Sequence, residues 1–348
     1  MVELWYGIVA LMFTAYVVLD GFDLGAGALH LWVSRGDAER RQVLAAIGPY
    51  WDANEVWLLA AAGAVFVAFP GALASGLSGF YLAIFVVLWC LLLRGIAIEF
   101  RGHVDDPMWR DWWDAIFSLA SALLAVCFGA ALGNLIRGLP LDANGWFGLA
   151  FFTDFSARPP VGILDWYTAA AGGFALAALM LHGALYLAWK TDGPVQERAR
   201  RASGRLWMAV AVAWPPLTWA SFAVNSGIWD RFSARPLAWL AAALALGGMI
   251  AAFTGLRAGR ELLAFLGSSA FLTGMLVTTA VSVYPVMLRA VPDASRSITA
   301  LNAGNDAAGL RTALGWWVLG FPLAIGYFVL LFRLHRGKAA AAPEREGY

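Results

Sequence analysis

Apolar stretches of 20 or more residues recur nine times along the chain, separated by segments rich in Arg, Asp and Glu. A bilayer core of about 30 Å is crossed by about 20 helical residues. A backbone in lipid must satisfy its own hydrogen bonds, and a helix does so. The pattern therefore predicts an all-α membrane protein with about nine transmembrane helices. The predicted spans are residues 5–33, 49–70, 77–101, 113–136, 164–190, 204–224, 237–256, 262–288 and 312–334.

Short connections join these spans, apart from residues 137–163 and 289–311, so no segment has room for a soluble domain. We therefore expect residues 1–348 to form a single polytopic transmembrane domain. The spans are expected to group as two four-helix bundles plus one peripheral helix, although no residue-level repeat supports this grouping. The first span is expected to be retained, because only Glu3 is charged among the first nineteen residues and a cleavable signal needs a basic start.

The distribution of Lys and Arg predicts the orientation, since basic residues accumulate on the cytoplasmic side. If the N-terminus lies outside, sixteen of the 24 basic residues fall in inner segments and seven in outer loops. This asymmetry predicts an external N-terminus and a cytoplasmic C-terminus. The remaining basic residue, Arg94, lies inside a predicted span.

Composition supports the membrane assignment. Hydrophobic residues make up 61% of the chain and charged residues only 14%, against roughly 25% charged in soluble domains. The net charge of +1 provides no field that would attract nucleic acid. Both cysteines, Cys90 and Cys127, lie in apolar runs without metal-ligand spacing, so we expect neither a disulfide framework nor a metal site.

Ionisable residues inside the first three spans are the candidate functional groups. A charge at the bilayer centre costs roughly 2.5–3.5 kcal/mol on insertion scales, so such residues are expected to face the protein interior or a partner subunit. With the predicted orientation, all of them lie in the cytoplasmic half of the membrane at graded depths. The residues are Asp20, Asp23, Asp52, Glu55, Arg94 and Glu99.

Two interpretations of this set remain open. In the first, a mixed set of protonated and ionised carboxyl groups forms a cytoplasm-facing proton route, running from Glu99, Glu55 and Asp52 to Asp23 and Asp20. In the second, Arg94 and one carboxylate form a buried pair that fixes the register of the helices. Asp52 and Glu55 would then simply favour a helix N-terminus.

Histidines provide little for a metal centre. Only His182 lies deep in a span, and no two of the four histidines have the i,i+4 spacing of a ligand pair. A haem-binding CxxCH motif is also missing. We therefore expect no metal and no haem iron to be ligated by this chain, and no catalytic residue of its own.

Three motifs in the first third of the chain carry a family resemblance. Residues 19–25 read LDGFDLG, residues 48–58 read GPYWDANEVWL, and residues 94–101 read RGIAIEFR. In this order and spacing they resemble the motifs of subunit II of cytochrome bd-type quinol oxidases, a family that includes cyanide-insensitive relatives. Span number and length extend the resemblance over the whole chain.

The resemblance implies a respiratory function in the bacterial cytoplasmic membrane. Subunit II of this family pairs with a haem-bearing subunit I, which holds haems b and d, or b only, and reduces dioxygen to water with electrons from quinol. Subunit II is not expected to be active alone. The resemblance leaves open a structural quinone in this chain, a small single-span accessory subunit, and contacts with lipid and quinone.

The resemblance also suggests roles for individual residues. Asp20 and Asp52, together with the base Arg94, match positions implicated in a proton route or in its structural support. The same motifs contain residues that we expect to support that route. These residues are Trp51, Asn54, Trp57 and Arg101.

Two rival functions can be weighed against this resemblance. A proton-coupled secondary transporter would also bury carboxylates and an arginine, but no matching pair of broken helices is present. The Pro215-Pro216 pair in the sixth span has no counterpart in another span. A purely structural subunit without a proton role is the second rival. A haem-bearing companion that co-purifies with the chain would argue against the transporter.

Overall fold

The computed structural model describes residues 1–339, and most of these residues are helical. Thirteen α-helices are present in this described part of the chain. They are α1 (Val2–Val33), α2 (Asp37–Ile47), α3 (Trp51–Ala68), α4 (Pro70–Gly79), α5 (Tyr81–Phe100), α6 (Pro107–Arg137), α7 (Trp166–Lys190), α8 (Gly193–Val224), α9 (Gly227–Ser233), α10 (Pro236–Arg257), α11 (Glu261–Val283), α12 (Ala300–Ala303) and α13 (Ala307–Leu334). Arg345, one of the sixteen basic residues predicted to be cytoplasmic, lies outside the described residues.

Eight of the described helices are long and apolar enough to cross a membrane: α1, α5, α6, α7, α8, α10, α11 and α13. The all-α, multi-span prediction is thus confirmed in its coarse form. Helix α3, predicted as the second span, is not among the eight. Its 18 residues begin with the polar side chains Asp52, Asn54 and Glu55, and these lower the mean hydropathy of a short helix.

The eighth predicted span was wrong at its C-terminal end. Helix α11 stops at Val283 instead of continuing to residue 288. Pro285 lies two residues further on, and proline cannot donate the backbone hydrogen bond that a continuing helix needs. The next residues form strand β1 (Val286–Leu288), which pairs antiparallel with β2 (Ile298–Thr299).

The helix α1 lies at the centre of the molecule. It packs against α3, α6, α7 and α11. Its crossing with α7 is very close, because a Cβ atom on Gly25 would lie 1.9 Å from the backbone oxygen of Leu179, and one on Gly183 would lie 2.3 Å from the nitrogen of Ala26. Small residues permit such close approach of helices in a membrane. The buried second half of α1 therefore presents Asp20 and Asp23 to neighbouring helices.

Helix α13 is peripheral. Of its residues, all described, Leu310 alone is buried, and the other side chains are at least partly exposed. It contacts the rest of the protein through the face that carries Trp317, Phe321 and Phe328, which pack near Trp57 of α3. A polar network holds its C-terminal end, where Lys190 of α7 donates a 2.7 Å hydrogen bond to the carbonyl oxygen of His335.

Candidate functional site

Arg94 of α5 joins carboxylates from two other helices. Its Nη1 donates to Oδ1 of Asp20 on α1 over 2.8 Å, and its Nη2 donates to Oε1 of Glu55 on α3 over 2.5 Å. The side chains of Arg94 and Asp20 are completely buried, whereas that of Glu55 is 24% exposed. The arginine therefore links α1 and α3 by charge-assisted hydrogen bonds, which are among the strong ones in proteins.

Asp23 lies one turn further along α1 and is held by an amide. Nδ2 of Asn54 donates to Oδ2 of Asp23 over 2.7 Å and to the carbonyl oxygen of Leu19 over 3.1 Å. Both Asp23 and Asn54 are buried. We refer to Asp20, Asp23, Asn54, Glu55 and Arg94 as the Arg94 cluster. It contains three carboxyl groups and one guanidinium.

Several buried atoms of the Arg94 cluster lack a protein hydrogen-bond partner among residues 1–339. These atoms are Oδ2 of Asp20, Oδ1 of Asp23, Oδ1 of Asn54 and Nε of Arg94. Buried polar atoms in proteins are almost always satisfied by protein or by ordered water. A polar site with several such atoms close together is therefore suited to hold internal water.

The other predicted members of the route lie at the protein surface. Asp52, one turn before Glu55 on α3, is exposed, and so is Glu99 at the C-terminal end of α5. The carbonyl oxygen of Glu99 contacts Nδ1 of His103 at 2.9 Å. The structure thus brings Asp20, Asp23, Glu55 and Arg94 together, and it leaves Asp52 and Glu99 outside this buried group.

Three of the four predicted supporting residues lie on α3, in three different environments. Asn54 is part of the Arg94 cluster, as described. Trp51 is half-buried, and its ring lies 3.4 Å from the position that a Cβ atom on Gly95 would take. Trp57 is buried and packs against Phe328 of α13 with ring centroids 5.6 Å apart.

Arg101, the fourth predicted supporting residue, belongs to a second site that the sequence pattern did not predict. Its Nε donates to Oδ1 of Asp114 over 2.7 Å, and the same oxygen lies 2.7 Å from Nε2 of His30. Arg40 of α2 donates to Oδ2 of Asp114 over 3.1 Å. Asp114 and His30 are buried. This Asp114 cluster ties together the C-terminal ends of α1 and α5, the N-terminal end of α6 and the helix α2.

Asp37, the first residue of α2, extends the Asp114 cluster to the surface. Its Oδ1 accepts a 2.8 Å hydrogen bond from Nη2 of Arg101, and its Oδ2 pairs with Arg41. Partial burial disfavours the ionised carboxylate, but Arg101, Arg41 and Arg110 outweigh this effect and hold the pKa of Asp37 below its ordinary value. Asp37 is thus an anion at neutral pH and fastens α2 to α5.

In the described part of the chain, the two buried histidines, His30 and His182, are engaged in hydrogen bonds with protein atoms. Both ring nitrogens of His182 are engaged, since Nδ1 lies 2.7 Å from Oγ of Ser268 and Nε2 lies 2.9 Å from the carbonyl oxygen of Val18. Nε2 of His30 is bound to Asp114. Within residues 1–339, no three His, Cys, Asp or Glu side chains are grouped so that they could hold a metal ion. His182 instead joins α7 to α11 and α1.

An apolar cavity of about 410 Å³ lies between helices α1, α6 and α7 on one side and helices α8, α10 and α11 on the other. Its walls include Tyr16 of α1, Phe128 of α6 and Trp214 of α8. The hydroxyl groups of Tyr167 and Ser221, which also line it, are hydrogen-bonded to each other at 2.8 Å. Tyr16 precedes Asp20 by one helical turn, so the cavity begins next to the Arg94 cluster.

The long apolar helices and their buried charged cluster define an integral membrane protein with an intramembrane polar site. The sequence model of cytochrome bd terminal oxidase subunit II matches residues 1–335. The chain belongs to this family and is a subunit of a bd-type terminal oxidase, an oxidoreductase. The resemblance found in the three motifs is confirmed, and the secondary-transporter alternative is not supported.

Individual relatives agree with this membership. The chain is 30% identical to a probable cytochrome oxidase subunit 2 of Haemophilus influenzae, over 94% of this chain and 92% of that protein. It is 27% identical to the cytochrome bd-I ubiquinol oxidase subunit 2 of Escherichia coli, over 93% and 91%. A chain in the solved structure of bd oxidase from Geobacillus thermodenitrificans matches with a TM-score of 0.73 at 15% identity, over 96% of this chain and 98% of that one. At this identity the structural match shows the shared fold.

Proposed function

We propose that this chain supplies a cytoplasm-facing proton route to a haem-bearing subunit I, which oxidises quinol and reduces dioxygen to water. The two subunits would work as a heterodimer, with haems b and d, or b only, in subunit I and no iron ligand in this chain. The observation that carries the proposal is the Arg94 cluster. It groups the buried carboxyl groups of Asp20 and Asp23 and the partly exposed one of Glu55 around one guanidinium, between long apolar helices.

The charge balance of the Arg94 cluster supports a role in proton binding. If Asp20, Asp23 and Glu55 were all ionised, the cluster would carry two negative charges beyond the positive charge of Arg94. Uncompensated charge is costly inside a membrane protein. Binding at least one proton therefore stabilises the cluster. Asp23 is the carboxyl group that we expect to bind it, because its hydrogen-bond donor is the neutral amide of Asn54 and not a cation.

The proposed proton path runs from the most exposed carboxyl groups to the most buried ones. Glu99 and Asp52 are exposed, Glu55 is partly exposed, and Asp20 and Asp23 are buried. Unsatisfied atoms on Asp20, Asp23 and Asn54 suit bridging water between these steps. A proton that enters at Asp52 or Glu99 would pass Glu55 and reach the pair on α1.

The register-fixing alternative also has an observation in its favour. Both interactions of Arg94 with carboxylates are direct, and they connect three helices. A buried pair of this kind can fix the relative positions of helices without moving a proton. The two roles differ in what an amide substitution does. If the pair only fixes the helix register, breaking it should reduce the amount of assembled complex. If the pair belongs to a proton route, the complex should still assemble but turn over more slowly.

A carboxyl-to-amide substitution in the purified two-subunit oxidase tests the proposal. We expect Asp20→Asn to lower quinol-driven oxygen consumption per haem by at least about tenfold, because a buried proton carrier is removed. Glu197→Gln is the matched control, since Glu197 is an exposed carboxylate of α8 outside both clusters. Equal turnover per haem in Asp20→Asn, Glu197→Gln and the wild type would overturn the proton route.

We further propose nine spans, with α3 continued by α4 as the ninth crossing, an external N-terminus, and placement in the bacterial cytoplasmic membrane. The bundles would comprise α1, α3, α5 and α6 in one group and α7, α8, α10 and α11 in the other, with α13 outside both. The peripheral position of α13 supports this grouping. The cytoplasmic location of the Asp114 cluster follows from the same orientation.

The cavity beside Tyr16 is the place where we would expect the structural quinone left open by the resemblance. Its apolar walls suit an isoprenoid tail, and its volume of about 410 Å³ falls in the range of roughly 300–1,000 Å³ usual for ligand sites. Organic extraction of the purified complex, followed by mass spectrometry, tests this. Retained quinone that is lost on Ala175→Phe, a substitution that narrows the cavity, supports the assignment. The small accessory subunit stays a prediction from the resemblance.

A further inference from the structure

A surface groove of about 510 Å³ runs between α1, α3 and the peripheral helix α13. Leu11 and Ala15 form its α1 wall, Trp57 lies at its base, and Ile325 belongs to its α13 wall. The lining is apolar along most of its length. The groove is separate from the Arg94 cluster and from the cavity beside Tyr16.

Two arginines lie at one end of this α13 groove. Arg333 is in the last turn of α13, and Arg336 follows three residues later. Both side chains are exposed, and neither forms an ion pair with any residue in the described part of the chain. Most arginines around the Asp114 cluster, by contrast, are paired with carboxylates. The end of the groove therefore carries two positive charges that no carboxylate among residues 1–339 pairs with.

The position of these arginines is fixed by contacts on both sides. Lys190 of α7 donates to the carbonyl oxygen of His335 over 2.7 Å, and Nζ of Lys338 donates to the carbonyl oxygen of Thr191 over 2.7 Å. The chain from Arg333 to Lys338 is thus anchored to the end of α7. Because this backbone segment is anchored, the two guanidinium groups are kept at the end of the groove.

We propose that the α13 groove binds one anionic phospholipid, with an acyl chain along Ala15 and Ile325 and its phosphate at Arg333 and Arg336. An acyl chain needs apolar walls of this kind, whereas guanidinium groups bind phosphate by charge-assisted, often bidentate hydrogen bonds. Basic pockets between transmembrane helices on the cytoplasmic side are suited to anionic headgroups. The basic end of the groove lies on that side in the predicted orientation.

A protein helix fits the groove less well than a lipid. A second exposed face of α13 carries Leu319, Leu323 and Leu330, so a neighbouring subunit can pack on α13 without entering the groove. A helix with its side chains is about 10 Å wide and is broader than a single acyl chain. An apolar helix would also leave Arg333 and Arg336 without an anion. The paired positive charges favour the lipid.

Native mass spectrometry of the purified oxidase complex tests the proposal with dioleoylphosphatidylglycerol as the anionic probe and dioleoylphosphatidylcholine as the neutral one. The wild type should retain about one phosphatidylglycerol that Arg333→Gln/Arg336→Gln loses, with apparent affinity lower by roughly tenfold or more. The control is Arg205→Gln/Arg257→Gln. It removes two exposed arginines from other helices in cytoplasmic segments and should leave retention unchanged.

A second variant tests the groove without changing its charge. Ala15→Phe fills the α1 wall and should displace phosphatidylglycerol while leaving Arg333 and Arg336 in place. Equal retention of the probe by the wild type and both groove variants would overturn the proposal. So would equal affinity for the two lipids, or displacement of phosphatidylglycerol by millimolar inorganic phosphate alone. A photo-crosslinker at Ile325 that labels a protein subunit in preference to lipid would also contradict it.

Discussion

The guanidinium of Arg94 donates a 2.8 Å hydrogen bond to the carboxylate of Asp20, and both side chains are completely buried. This bond joins α5 to the middle of α1 at a depth where neither charge can reach water on its own. Removing one partner of a buried pair leaves the other uncompensated, which costs about 3–5 kcal/mol. The pair therefore has consequences for assembly as well as for proton transfer.

The substitution Arg94→Leu is expected to lower recovery and thermal stability of the oxidase complex, because it leaves Asp20 and Glu55 without their counter-charge. The double variant Arg94→Leu/Asp20→Asn should recover part of the lost stability, since it removes the stranded charge of Asp20. Haem-normalised yield and melting temperature measure both effects. Turnover separates the two roles: the proton route predicts that the double variant assembles but stays slow. A double variant with restored turnover would instead identify Arg94 and Asp20 as a register pair.

Asn54 is expected to matter for both stability and turnover. Asn54→Ala removes the donor to Asp23 and to the carbonyl oxygen of Leu19 and should cost about 1–3 kcal/mol, the usual penalty for buried groups left unsatisfied. Asn144→Ala, at an exposed loop position, is the control. Thermal denaturation of the purified complex measures the difference. Equal melting temperatures of the two variants would show that the amide does not hold Asp23.

The close crossing of α1 and α7 predicts that a single added methyl group at Gly25 strongly destabilises the complex. In Gly25→Ala the new Cβ would lie 1.9 Å from the backbone oxygen of Leu179, so the helices must separate, at a cost of at least about 1–3 kcal/mol. Gly63→Ala on α3 is the control, because a Cβ there meets no atom within 4 Å. The yield of intact complex should fall for Gly25→Ala only. A Gly25→Ala complex as stable as the wild type would contradict the crossing.

The stability of the Asp114 cluster should depend on pH through Asp37. Its arginine neighbours lower its pKa in the folded protein, so the unfolded chain binds more protons between the lowered and the ordinary value of about 3.9. Stability from Asp37 is therefore fully present above the ordinary value and is lost as pH falls through the lowered one. The melting-temperature difference between the wild type and Asp37→Asn should be constant from pH 6 to 8 and shrink below about pH 4. A difference that grows on acidification would have the wrong sign.

The sequence predicted a group of ionisable residues in the first three spans because desolvation makes intramembrane charges conspicuous, but it also included Asp52 and Glu99, which are exposed. Asp20, Asp23 and Arg94 stand inside apolar runs, and the structure brings all three into the same buried group. The rotation of α3 could not be predicted in the same way. Its hydrophobic residues are spread around the helix, so the sequence pattern does not indicate which face is buried. In the structure Asn54 and Trp57 are buried and Asp52 is exposed.

The Asp114 cluster was missed for a related reason. Arg40 and Arg101 were counted as cytoplasmic charges, and Asp114 stands at the edge of a predicted span, where a solvated carboxylate is ordinary. Only the folded structure shows that Asp114 is buried between His30 and Arg101, with Arg40 of α2 beside it. The short helix α2 itself is half polar, and its burial depends on partners that are distant in sequence.

Proton uptake during a single turnover tests the central claim most directly. The two-subunit oxidase is reconstituted in vesicles, the reduced enzyme is exposed to oxygen, and proton uptake from the cytoplasmic-side solution is followed with a pH dye. For Asp20→Asn we predict uptake slower than in the wild type and in Glu197→Gln by at least about tenfold at equal haem content. Uptake at the wild-type rate in Asp20→Asn would contradict the account, because protons would then reach the haem-bearing subunit without passing α1.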